Sequence, residues 1–120
     1  LRYEPPVHST VRIAYADMDY EGKFYKRGTP FAISIAGANR DPEANENPNE
    51  FNILREKIKH VSFGYGPHMC IGASLARIES KLVFEKIFER FPDLKLTESE
   101  PSWQKNFIFR GFDNLLVKTH

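Results

Sequence analysis

The sequence has 120 residues, 41% hydrophobic and 28% charged, a balance that suits one folded domain and excludes a disordered tail. Lys and Arg number 17 against 16 Asp and Glu, for a net charge of +1, so no polyanionic partner is implied, and no basic stripe with interleaved aromatics points to nucleic acid. No run of about 18 apolar residues offers a membrane span, and one cysteine cannot make an internal disulfide, which reads as a reducing, cytoplasmic setting.

In chain order, Leu1 to Glu4 are expected to be the last residues of a helix stopped by Pro5 and Pro6, because proline disfavours helix in the residue before it. The chain begins without methionine and reads as a piece of something longer. Val11, Ile13 and Tyr15 alternate with Arg12 and Ala14, a strand pattern. Glu21-Gly22 predicts a hairpin turn between "MDY" and "KFYK". Phe31, Ile33 and Ile35 form another alternating strand. Residues 37–60 are poor in apolar side chains and read as a long loop with one short helical turn at its start, a length that is usually functional. From Ile71 to Phe91, apolar residues recur at steps of three and four, predicting a long helix with one apolar stripe, ended by Pro92. Two or three short strands follow, in "DLKL" and "NFIFRG…NLLVKTH".

The stretch "FGYGPHMCIG", Phe63 to Gly72, holds the lone cysteine among three glycines. Gly64 and Gly66 permit positive φ and let a flat ligand approach the backbone. Cys70 is placed at the start of the predicted helix, where unpaired N–H groups and the helix dipole favour an anionic sulfur. Gly72, read as one turn inside, clears space beside it. Three other readings stand at this point. Cys70 could be a small core residue, since free cysteine is among the most buried types. His60, His68 and Cys70 offer a zinc ion too few ligands at recognised spacings. Gly64-x-Gly66 is only part of a phosphate-loop pattern, with Met69 where the third glycine belongs.

The whole pattern Phe63-Gly64-x-Gly66-x-His68-x-Cys70-x-Gly72-x-x-Leu75-Ala76-Arg77 resembles the haem-binding signature of the cytochrome P-450 family. "LRYEPPV" is similar to the end of that family's E-x-x-R helix, with Arg2 at the arginine. "TVRIA" is similar to its propionate-binding strand, and "GANRDP" and "NPNEFNILR" to the segment in which Arg55 would meet the E-x-x-R pair. The resemblance implies a fold class of α+β: residues 1–120 as the C-terminal, haem-binding portion of the mainly helical cytochrome P-450 fold, bacterial type. It implies haem b as cofactor, Cys70 as the metal ligand, Arg12 and His68 as propionate partners, and Phe63, Gly64 and Gly72 around the sulfur.

The function so implied is that of a haem-thiolate monooxygenase acting on a small organic substrate. The alternative is a truncated haem-binding module or sensor without turnover. The family's oxygen-activating helix is expected outside this chain, so no catalytic residue is assigned within it, and Arg2 and Arg55 are expected to lack the glutamate of E-x-x-R. The implied partners are the missing N-terminal part of the same fold and an acidic electron donor of ferredoxin or flavodoxin type. That donor would meet the proximal face near Lys57, Lys59 and Arg77.

Overall fold

The computed structural model describes residues 1–97 and 100–119. It divides into two compact units: Leu1–Ser62 with Asn106–Arg110, and Phe63–Lys105 with Gly111–His120.

The first unit is built on two antiparallel ribbons. Strand β1 (Ser9–Ile13) pairs with β4 (Pro30–Ser34), setting Arg12 opposite Phe31 and Ser9 opposite Ser34. Between them, β2 (Met18–Tyr20) and β3 (Lys23–Tyr25) form the expected hairpin. Glu21 and Gly22 both take positive φ, 49° and 74°, as a two-residue turn matched to strand twist requires. The alternation that suggested a strand through Ile35 is cut one residue short. Ser34 turns its hydroxyl to accept the Gly37 N–H at 3.0 Å and caps α1 (Ile35–Asn39).

Leu1 to Glu4 are not helical. Arg2 is drawn inward instead, 6% exposed, by bonds to three carbonyls. Residues 41–60 contain turns but neither helix nor strand, as the composition suggested. Two buried asparagines hold this loop. Asn39 donates to Ser62 Oγ (2.8 Å) and accepts the Val61 N–H (2.8 Å). Asn45 donates to the Lys59 carbonyl (3.0 Å) and accepts its N–H (3.2 Å). A loop cannot satisfy its own backbone by a ladder, so buried side-chain amides do so here. Glu4 ties other parts of the same unit together, lying 3.0 Å from both His8 Nε2 and Arg110 Nε and 3.4 Å from Arg40. Phe109 joins the unit through an isolated bridge to Val7, where a short strand had been expected.

The second unit is organised by α2 (Ala73–Arg90). Gly72 is its N-cap rather than a residue inside it, and Phe91 its C-cap, ahead of Pro92. The apolar residues do not make one stripe. On a 3.6-residue wheel Leu75, Ile78 and Leu82 share one side, whereas Phe84 and Phe88 lie on another. All five are more than half exposed, while Ala73 is buried. A helix apolar on several sides is suited to burial among other elements. Strands β5 (Lys95–Leu96) and β6 (Val117–Lys118) pair antiparallel, and Trp103 bridges Phe112 with ring centroids 4.0 Å apart. The expected run of the last strand to the C-terminus ends at Lys118, and His120 lies outside the described residues.

Candidate functional site: the cysteine loop

The loop from Phe63 to Gly72 is closed by one backbone bond: the Cys70 N–H donates to the Phe63 carbonyl at 2.7 Å. Inside it, Gly66–His68 make a single 3-10 turn, with the Met69 N–H donating to the Gly66 carbonyl at 3.0 Å. Gly64 sits at φ +74°, and a Cβ there would come within 2.9 Å of the His68 carbonyl oxygen. Any other residue would face both a left-handed backbone and that contact. Gly66, at φ +64°, has open space where a Cβ would point.

Cys70 is exposed in this chain and forms no disulfide. It stands three residues before α2, and its carbonyl accepts the Ala73 N–H at 3.2 Å. The N-cap, Gly72, offers no side-chain acceptor to the first turn of the helix, and a Cβ on it would lie 3.9 Å from Sγ. The sulfur and the start of the helix are therefore neighbours, although Cys70 is not itself helical. His68 is exposed in the 3-10 turn.

Phe63 is half-buried, and the Arg77 guanidinium lies over its ring, 4.6 Å from the centroid. Periodicity alone gives no sign of that contact. The structure thus gathers Phe63, Gly64, His68, Cys70 and Gly72 in one loop. Arg12 belongs to the other unit. It is exposed on β1, where its Nη1 donates to the Val11 carbonyl (3.0 Å) and Thr10 Oγ1 (3.3 Å).

A second cluster lies within the first unit. Arg2 donates to the carbonyls of Asn39 (3.0 Å), Pro48 (2.8 Å) and Glu50 (3.1 Å). Arg55 donates to the same Glu50 carbonyl (3.1 Å) and to those of Glu46 and Asn47. The two arginines expected to meet do so through a shared acceptor. The E-x-x-R glutamate that they were expected to lack is not among these contacts: backbone oxygens serve both, and the Glu50 carboxylate lies 3.9 Å from Arg55. Among the described residues, Arg55 Nε is buried without an acceptor. Burial first, then the charges of Arg55 and Arg40, hold the Arg2 guanidinium below its ordinary pKa. Arg2, Tyr3, Phe51 and Arg55 are among the residues lining a cavity of about 320 Å³.

The cytochrome P450 family model matches residues 1–111. The chain belongs to the cytochrome P450 family. Over 120 residues it is 43% identical to the polyketide biosynthesis cytochrome P450 PksS of Bacillus subtilis strain 168, covering 98% of this chain and 30% of that protein. It is 38% identical to the biotin biosynthesis cytochrome P450 of the same organism over 117 residues, with the same coverage. The solved structure of PksS superposes with a TM-score of 0.91 at 42% identity, over 98% of this chain and 31% of the other. The chain thus spans about a third of the length of these cytochromes P450. Their fold is the one it shares, as a mixture of helix and strand.

Haem b is the cofactor of cytochromes P450, and the loop fits it. The thiol is exposed and unbridged, the backbone beside it carries glycine, and the space over Gly66 is open. No group of three or more His, Cys, Asp or Glu able to hold a metal occurs among the described residues. No helix among the described residues is long and apolar enough to cross a membrane.

Proposed function

We propose that this chain is the C-terminal, haem-binding portion of a cytochrome P450 monooxygenase, with the Cys70 thiolate as the protein's ligand to haem iron. The observation that carries the reading is an exposed thiol, beside the start of an 18-residue helix, in a loop with two positive-φ glycines. Haem ligated by a thiolate supplies electron-rich iron, which favours cleavage of the O–O bond.

The chain's own residues hold and shape that site. The Phe63 carbonyl engages the Cys70 N–H and fixes the direction in which Sγ leaves the loop. Gly64 lets the loop turn back on the His68 carbonyl, and Gly66 leaves its face open to a flat ring. The sulfur lies beside the N-terminal end of α2, near its N-cap Gly72. His68 and Arg12 are the proposed donors to the haem propionates. Arginine offers a planar fork to a carboxylate and histidine a second N–H. Arg12 now spends its guanidinium on Val11 and Thr10, contacts of an exposed side chain that a charged acceptor can displace.

The substrate is a small organic molecule, met mainly by segments beyond this chain. Oxygen activation is assigned there too. The more-than-half-exposed faces of α2 at Leu75, Ile78, Leu82, Phe84 and Phe88 are assigned to packing against the rest of the fold. Each such side chain is worth about 1.5–3 kcal/mol when buried. An acidic electron donor of ferredoxin or flavodoxin type is the proposed protein partner, with Lys57 and Lys59 among its contacts.

The test is the absorption spectrum of the haem-loaded complete protein, reduced and exposed to carbon monoxide. The reading expects a red-shifted Soret band that Cys70→Ala abolishes. A spectrum with imidazole as ligand, or one that Cys70→Ala leaves unchanged, would remove Cys70 from the iron.

A further inference from the structure

We propose that Arg77 is a positioning residue for the cysteine ligand: its guanidinium clamps the Phe63 ring and so fixes the carbonyl that holds the Cys70 N–H. The inference rests on the haem-thiolate reading above.

Two glycines at positive φ, Gly64 and Gly66, lie between Phe63 and Cys70. Glycine stiffens a backbone least of all residues. The loop's shape therefore depends on what holds its two ends. At the Cys70 end, α2 begins three residues on, and the Ala73 N–H is bonded to the Cys70 carbonyl. At the Phe63 end, the ring lies under the Arg77 guanidinium at 4.6 Å. That guanidinium is itself held to the helix, with Nη1 donating to the Ala73 carbonyl at 3.4 Å. The two ends of the loop are thus referred to the same first turns of α2. The 2.7 Å bond from Cys70 N–H to the Phe63 carbonyl closes the ring.

An ordinary surface arginine on a helix would pair with an acid three or four positions away. Around Arg77 those positions are Ala73, Ser74, Ser80 and Lys81, none of them acidic. The guanidinium is therefore available to the aromatic face, and arginine suits that face through its planar, weakly hydrated cation.

The experiment uses the complete haem-loaded protein. It reads the ratio of the red-shifted to the unshifted Soret band of the reduced carbon monoxide complex. Arg77→Met should lower that ratio by about two- to fivefold, the range carried by a cation–π contact at an exposed site. Arg77→Gln keeps a polar reach to the Ala73 carbonyl without charge and should behave like Arg77→Met. Arg77→Lys should restore most of the ratio. In a Phe63→Leu background, Arg77→Met should have no further effect, because the two residues act as a unit.

A ratio unchanged by Arg77→Met, or lowered as much with Leu at position 63 as with Phe, overturns the role of Arg77 and leaves the haem-thiolate reading standing. A parent protein with no red-shifted band overturns both.

Discussion

Replacing Arg2 by methionine keeps a long side chain and removes its charge and every donor. Three bonds to carbonyls are lost, at Asn39, Pro48 and Glu50. Their consequences differ. The Asn39 carbonyl keeps the Asn45 amide at 3.3 Å, and the Glu50 carbonyl keeps Arg55 at 3.1 Å. Pro48 loses its donor from Arg2 with no such replacement. Hydrogen bonds from a charged donor are worth about 1.5–3 kcal/mol each. Against this gross loss stands relief: a buried cation is removed, and with it the repulsion from Arg55 and Arg40 that depresses its pKa. That relief amounts to a few kcal/mol, roughly.

The net expectation is a loss of about 3 kcal/mol, felt where residues 41–58 are anchored. Limited proteolysis of the complete protein reads it directly. When reclosing outpaces cleavage, the rate follows the population of the open loop. Cleavage within 41–58 should accelerate roughly a hundredfold, at 1.4 kcal/mol per factor of ten. The sign with pH also follows. A depressed arginine pKa means that the unfolded chain binds more protons only in the strongly alkaline window between the two values. Stability from this group rises with pH there and is flat around neutrality. A rate within about twofold of the parent would show that the buried guanidinium does not hold the loop.

Other substitutions separate backbone strain from lost contacts. Gly64→Ala meets both a left-handed backbone and the His68 carbonyl, whereas Gly66→Ala meets only the former. Gly66→Ala should cost about 1–2 kcal/mol and Gly64→Ala more, seen as faster loss of haem to a scavenger protein from Gly64→Ala. Asn39→Ala leaves the Val61 N–H and the Ser62 hydroxyl without their fully buried partner. It should lower stability by about 2–4 kcal/mol in denaturant unfolding of the complete protein. Glu4→Gln weakens the contacts to Arg40 and Arg110, but the groups are about a third exposed. Its effect should stay within about 1 kcal/mol, a small shift in thermal midpoint.

What the sequence disclosed was governed by range. The Glu21-Gly22 turn, the alternation in β1 and β4 and the extent of α2 are set by neighbours a few residues apart, and all were legible. The capping of α1 by Ser34 is also local, yet alternation through Ile35 masked it. The failures involve distant partners. Arg2 bonds to carbonyls 37, 46 and 48 residues away, contacts that no local pattern announces. Asn39 and Asn45 look like ordinary loop polarity, and nothing local distinguishes a buried amide from a solvated one.

The single stripe expected on α2 was a counting error: the step from Leu82 to Phe84 is two residues, which carries the pattern to the far side of the helix. In the cysteine loop the signature was legible residue by residue. The contact of Arg77 with Phe63 was not, since it depends on where the loop returns to the helix.

The central claim is a bond between one sulfur and iron. Iron-edge X-ray absorption of the haem-loaded complete protein measures it without reference to turnover. The account predicts a single sulfur scatterer in the first coordination shell, lost in Cys70→Ala while the porphyrin nitrogens remain. A shell of nitrogen and oxygen alone in the parent protein, or a sulfur that survives Cys70→Ala, would contradict it.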